Sequence, residues 1–313
     1  MIRRLSIKDA FNLFTLRGSE RIVHQSNLAK GKTRVSSESE NELPGFSLSA
    51  FLRGHLSGHR KDEVWVSVDQ GNITGLTTAR CRRGPTSWAV QELVVLPGAE
   101  ERCGDLLEVA ANFAEEQGAE RIFVRVPDVW RLLELTRRSG FLPCVRVLTL
   151  ALIGRVALLG APPVQSYHDR CENDTEHLFR IYCETTPAKA RSGMGLTLQQ
   201  WLDSQESSRR DVRELVVEHD QKPVAWLRLE ECREYIEVQA MIDPKWTSGS
   251  QTLVLLVLKL AGRKPVLWEV PTYQESLHLT LDQVGFQVSS SCQLMVKPLA
   301  VRITEPFTVP APV

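Results

Sequence analysis

Four landmarks occur twice in this chain at nearly constant spacing. Pro97 and Pro244 stand 147 residues apart, Gly118 and Gly262 144, Val126-Pro127 and Val270-Pro271 144, and Gly140-Phe141 and Gly285-Phe286 145. Prolines that follow apolar runs close strands, and glycines that follow amphipathic runs close helices. Such regular recurrence constrains the chain to two copies of one unit, too few for a solenoid. With 313 residues, two domains of ordinary size are expected, 1–155 and 163–313, with the boundary near 155–163.

Hydrophobic periodicity fills in each copy. Residues 2–8 read as a strand, 9–18 as a helix, the polar stretch 24–45 as a mobile loop, and 47–56 as a short helix. Strands EVWVSVD, ITGLTTARC and WAVQELVVLP follow. The helix GDLLEVAANFAEEQGA places Leu106, Leu107, Ala110, Phe113 and Ala114 on one face. A strand RIFVRVP, a helix VWRLLELTRRSG and a strand FLPCVRVLTLAL close the first copy. The second repeats the order: helix 174–185, a loop with RSGMG, helix TLQQWLDSQ, strands RELVVEHD, PVAWLRLEE and YIEVQAMIDP, helix TLVLLVLKLAG, strand PVLWEVP, helix SLHLTLDQVG and strand FQVSSSCQLMV. The helix TLVLLVLKL is apolar nearly all round, which predicts burial on two sides, including contact with the other copy.

Charge and cysteine usage exclude several classes of function. The 38 basic and 38 acidic side chains cancel, so no electrostatic footprint for nucleic acid is expected. The most apolar stretch, 147–160, is too short for a bilayer and carries Arg155, so no membrane partner is expected either. The basic N-terminus lacks the apolar core and cleavage site of a signal peptide. Seven scattered cysteines, with no CxxC among them, read as reduced thiols of a cytoplasmic protein. His55 and His59, and likewise His168 and Cys171, lack a third ligand nearby in sequence, so no metal is expected. No Walker loop, dinucleotide fingerprint or Gly-x-Ser-x-Gly elbow occurs.

The order of strand, helices, three consecutive strands, helix, strand, helix, strand resembles the GNAT superfamily, the acyl-CoA-dependent N-acyltransferases. The run ELVVLPGAEERCGDLLEVAANFAEEQGAERIFVRV is similar to that family's cofactor motif, and SGF (139–141) and VGF (284–286) to its terminal signature. The resemblance covers nearly the whole chain twice, and the layout is similar to two-domain members such as mycothiol synthase. It implies an α/β (α+β) fold of two tandem GNAT-like domains, each a mixed central sheet flanked by helices.

The resemblance also implies where chemistry would sit. The family loop reads Arg/Gln-x-x-Gly-x-Gly/Ala and holds the CoA pyrophosphate at a helix N-terminus, where unpaired amides and the dipole favour an anion. In the first copy Arg102, Cys103 and Gly104 occupy that loop, which has one glycine and three acids (Glu100, Glu101, Asp105). Strand amides near Val94 and Leu96 would face the acyl group. In the second copy Lys245, Ser248, Gly249 and Ser250 form an acid-free loop, although Ser250 and Thr252 replace expected glycines. Glu92, five residues before Pro97, matches the family's general base; its counterpart is Gln239, with Glu237 two residues earlier on the same face. Thr136 and Leu281 replace the family's acid tyrosine, with Cys144 and Tyr273 nearby. Trp226, Trp246 and Trp268 read as core or pocket-wall residues. The expected activity is acyl transfer from acetyl-CoA or another acyl-CoA to an amine of a small molecule or protein, with Glu92 placing the chemistry in the first copy. A non-catalytic binding or scaffold protein is the alternative.

Overall fold

A computed structural model describes residues 1–6, 9, 20–24, 62–96, 98–153, 166–207 and 211–300. The expected helices at 9–18 and 47–56, the loop 24–45, the boundary 155–163, Pro97, His55 and His59 lie outside those residues, apart from Asp9 and His24. The first half contains β1 (Ile2–Arg4), β2 (Glu20–His24), β3 (Asp62–Asp69), β4 (Asn72–Cys81), β5 (Ser87–Val95), α1 (Arg102–Glu116), β6 (Arg121–Pro127), α2 (Trp130–Arg138) and β7 (Leu142–Leu152). The second contains β8 (Ser166–Asp169), α3 (Thr175–Thr185), α4 (Ala188–Met194), α5 (Leu198–Ser204), β9 (Val212–His219), β10 (Lys222–Glu231), β11 (Ile236–Ile242), α6 (Gly249–Ala261), β12 (Val266–Pro271), α7 (Glu275–Val284) and β13 (Gln287–Pro298). Strands β2 and β8 were not expected, and α4 replaces the RSGMG loop.

The described strands form one sheet in the order β1-β3-β4-β5-β6-β13-β7-β12-β11-β10-β9-β8, with β2 added alongside β5. That order is palindromic once β1, β3, β4, β5, β6 and β7 are matched to β8, β9, β10, β11, β12 and β13. One expectation is corrected here. β7 does not close the first half; it pairs antiparallel with β12, while β13 pairs antiparallel with β6. β7 and β13 also pair with each other, placing Val145 opposite Leu294 and Val147 opposite Cys292. Without this exchange, β6 and β12 would be open edges with unpaired backbone groups.

The exchange ties the two cores together. On one face, α1 buries Leu106, Leu107, Ala110 and Ala114 against β4–β6, and Met295 of β13 joins that cluster. Phe113 lies edge-on to both Trp65 and Trp88. On the same face of the second half, α6 and α7 pack on Trp268 and Phe286, and Leu150 and Leu152 of β7 join them. Leu253, Val254, Leu256 and Val257 of α6 are buried in that same cluster. The opposite face is covered at its centre by α4, with Ala190 on Phe123, Val145, Val147 and Leu294. Gly193 permits this close approach, since a Cβ there would lie 2.7 Å from Cys144 Sγ.

Because Met295 fills the first half's core from the last strand, its loss reaches the whole sheet. Met295→Ala is expected to cost about 2–5 kcal/mol. Urea unfolding followed by tryptophan fluorescence and circular dichroism should show a single transition moved to lower denaturant by both probes. Two separated transitions would contradict the shared core.

Candidate functional site

In each half a parallel pair begins together and then parts. β5 pairs with β6 from Ser87 to Ala89, and β11 with β12 from Ile236 to Gln239. Beyond those points β5 and β11, the outer strands of the two pairs, each turn one edge toward a cleft.

In the first half the edge is already paired. β2 runs antiparallel to β5, with Glu20 opposite Val95, Arg21 opposite Val94 and His24 opposite Glu92. The Leu96 amide donates to the Thr74 carbonyl on β4, 2.9 Å away. Alternation along the strand turns the Val94 amide the same way, toward Leu76. Val94 and Leu96 are therefore corrected: their amides serve the sheet and face away from the cleft. Glu92 is half-buried on a strand flanked by β4 and β2, with its carbonyl accepting from Thr77 Oγ1.

The expected phosphate loops are also turned inward. The amides of Arg102 and Cys103 donate to the carbonyls of Ala99 and Glu100. The Arg102 guanidinium pairs with Asp105 at 3.4 Å. Cys103 is buried, and burial followed by the charge of Glu100 pushes its thiol up to about 12. Gly104 has room for a side chain, its nearest neighbour being Ser139 Oγ at 3.5 Å, so no close backbone approach explains it. In the second half Lys245 Nζ lies 2.9 Å from Glu184. Ser248 precedes α6 without a side-chain capping bond, and Ser250 Oγ lies 3.0 Å from Ser276 Oγ. Gly249 is required by Trp246, because a Cβ there would sit 2.7 Å from the indole. Trp246 is itself buried and stacks on His219.

The second half's cleft is different. Thr185 Oγ1 donates to the Ile242 carbonyl at 2.8 Å, and Gln274 Nε2 donates to the Ala240 carbonyl at 3.0 Å. Beside this edge a cavity of about 180 Å³ opens between the sheet and α3–α5. Tyr273, Thr186, Met241 and Ala240 lie at its β11 side, and Phe123, Val145, Val147 and Leu294 reach it from the exchanged strands and β6. Trp226 and Trp201 also line it, whereas Trp268 belongs to the core. Burial raises the pKa of the Tyr273 phenol, which lies 3.5 Å from Thr186 Oγ1.

Seven further lining residues are charged. Glu206 faces Arg228 at 3.2 Å, Arg125 at 3.3 Å and Arg82 at 3.8 Å. Glu269 holds Arg125 at 2.5 Å and accepts from Gln239 Nε2 at 2.7 Å. Glu214 holds Arg170 at 2.6 Å and accepts from Trp226 Nε1 at 3.1 Å. Arg82 also lies over the Phe123 ring, and Arg170 over Trp201. Burial, together with the neighbouring charges of Arg125 and Arg228, pulls Arg82 down to about 10 despite Glu206. Among the described residues, Arg82 Nε, Arg125 Nε, Arg228 Nε and Arg170 Nη2 are buried donors without a partner. Each such atom costs roughly 1–3 kcal/mol in desolvation. No single stretch of sequence announces this cluster; the available signal is a charge at an inward-facing strand position, as with Arg125 in RIFVRVP and Arg228 in AWLRLEE.

Glu237 lies beneath the cluster, opposite Glu230 on β10. Burial first, then the charges of Glu269, Glu206 and Glu230, outweigh Arg125 and push its carboxyl up to about 8. Elsewhere, His168, Cys171 and Asp174 bring ligand-type atoms within 4.8 Å of one another. Asp174 already accepts from the Cys171 amide and from His168 Nε2, which accounts for the cluster as a cap on the turn before α3.

No family model and no curated protein matches the sequence. Solved structures do match the fold. A GCN5-related N-acetyltransferase from Sphaerobacter thermophilus aligns over 95% of this chain and 95% of its own, at 16% identity and a TM-score of 0.53. A putative acetyltransferase from Pyrococcus horikoshii aligns over 96% and 90%, at 10% identity and 0.55. A tandem GNAT protein from the clavulanic acid biosynthesis pathway aligns over 95% and 98%, at 10% identity and 0.53. The chain therefore has the tandem GNAT fold. No helix among the described residues is long and apolar enough to cross a membrane.

The burial of Glu237 sets a pH dependence. Its folded-state pKa is raised, so its contribution is fully present below the ordinary value of 4.5 and is lost as pH rises toward about 8. Glu237→Gln should flatten the fall in melting temperature across that window and leave the variant the more stable protein at pH 8. An unchanged slope would show that the carboxyl ionises freely.

Proposed function

We propose that the chain is a GNAT-type acyltransferase built from GNAT-like halves 1–155 and 163–313, and that it works in its second half. The donor is acetyl-CoA or another acyl-CoA, and the acceptor is an amine held in the cavity. The observation that carries this reading is the meeting of the cavity with the parted edge of β11 at Ala240 and Tyr273. An acyl thioester along that edge would present its carbonyl to an amide of Ala240 or Ile242, which polarises it toward the tetrahedral oxyanion. The amine attacks, a C–N bond forms and the C–S bond breaks. The proton lost by the amine ends on the CoA thiol, with Tyr273 O–H as hydrogen-bond donor to the departing sulfur. The carboxylates lining the cavity are engaged by arginines, so the amine must arrive already neutral or lose its proton to water. Seven free thiols support a reducing compartment such as the cytoplasm.

A second reading, a non-catalytic binding or scaffold protein, is favoured by the Lys245–Glu184 pair and the buried Trp246, which take over the second half's phosphate loop. Acetyl-CoA titration separates the two. Saturating acetyl-CoA should raise the melting temperature if the cleft accepts it, and the absence of any shift up to millimolar concentration favours the binding protein.

Within the acyltransferase reading, Tyr273→Phe should lower kcat roughly 10²-fold, at the low end for loss of an acid–base group. Glu92→Gln should leave kcat unchanged. The opposite result would return the chemistry to the first half.

A further inference from the structure

The cavity's lining carries one more cation than anion, although Arg228 also meets Glu230, outside the lining, at 3.4 Å. Four guanidiniums line it against three carboxylates, those of Glu206, Glu214 and Glu269. Glu269 and Glu214 each sit squarely on one arginine, at 2.5 and 2.6 Å. Glu206 alone is shared among Arg82, Arg125 and Arg228 at longer range. The side chains of Arg82, Arg170 and Arg228 are 10%, 6% and 6% exposed, yet each keeps a donor atom without a partner among the described residues. Buried guanidinium donors are ordinarily satisfied, and a planar fork of them matches a carboxylate.

The body of the cavity limits the rest of the occupant. Phe123, Tyr182, Trp201, Trp226 and Tyr273 present aromatic surface, and Val145, Val147 and Leu294 aliphatic surface. At about 180 Å³ it falls below the roughly 300–1,000 Å³ of sites for drug-sized ligands.

We infer that the cavity binds a small aromatic carboxylate, its acid group taken by Arg82, Arg125, Arg170 and Arg228 and its ring by the aromatic wall. Glu206 stands in for that carboxylate and is displaced or shared when the ligand enters. That this ligand is the acyl acceptor rests on the acyltransferase reading; that it binds does not.

The test therefore uses binding without any acyl-CoA. Benzoate is the probe and benzamide its neutral isostere, each titrated into the full-length protein by calorimetry and thermal shift. The expected result is saturable binding of one benzoate, with benzamide at least tenfold weaker. Glu206→Gln, which removes the carboxylate shared by Arg82, Arg125 and Arg228, should bind benzoate at least tenfold more tightly. Arg82→Gln should bind it at least tenfold more weakly. If Arg82→Gln does not fold, the Glu206→Gln comparison decides alone. Absence of benzoate binding to both wild type and Glu206→Gln, or equal binding of benzamide, overturns the inference. Benzoate binding in a protein that ignores acetyl-CoA would sustain it and remove only the acyltransferase reading.

Discussion

The pairing of β7 with β13 is the contact on which the rest of the molecule depends. Each is the last strand of its own half, and each is bonded to the penultimate strand of the other. A sheet that ended at β6 or β12 would leave a long apolar edge, so the two halves close one another's edges. The consequence for the site is geometric. β6 and β12 are three strand intervals apart, about 14 Å at the usual spacing. Yet Arg125 on one and Glu269 on the other are in contact. Their pair passes over both exchanged strands, whose Val145, Val147 and Leu294 form the cavity floor beneath it.

A core under no other demand would not be built from these residues. Burying an arginine–glutamate pair forfeits hydration that the pair's own attraction barely restores, and apolar replacements of similar volume often stabilise. Here several such pairs are crowded together, and the like charges of Arg125 and Arg228 act on Arg82. Burial first, and then the charges of Glu269, Glu206 and Glu230, push the Glu237 carboxyl up to about 8. An arrangement with this much desolvation around an open volume is better explained by a ligand than by folding.

Element positions were largely legible in the sequence, because alternation and helical spacing report which face is apolar. α1 carries its apolar face at the expected residues, and β3–β7 and β9–β13 fall on the expected runs. Partner choice was not legible. FLPCVRVLTLAL and FQVSSSCQLMV carry patterns that suit either half's sheet, and alternation fixes a face without naming a neighbour. The RSGMG stretch failed for a different reason: two glycines argue against a helix, but Gly193 is there to admit Cys144. In the expected cofactor loops, residue types do not show whether their groups are already engaged. Lys245 looks available for an anion until Glu184 arrives from 61 residues away. Conversely, Arg82, Arg125, Arg170 and Arg228 come from separate elements in both halves, so no window of sequence displays them together.

The exchange also bears on why two unequal halves stay together. In the first half β2 pairs along β5, and the loop before α1 is folded on itself. Among the described residues, the first half thus has no open β5 edge beside that loop. Its contribution is made elsewhere: Arg82 at the end of β4, Phe123 and Arg125 on β6, and Val145 and Val147 on β7 are all walls of the second half's cavity. The loop after β4 is bonded to the other half as well, with the amides of Arg83 and Gly84 donating to the carbonyls of Gln205 and Asp203. Those bonds fix the segment that carries Glu206. The first half's strands are thus held by the second half's cavity as well as by their own core, because that cavity is made partly of them.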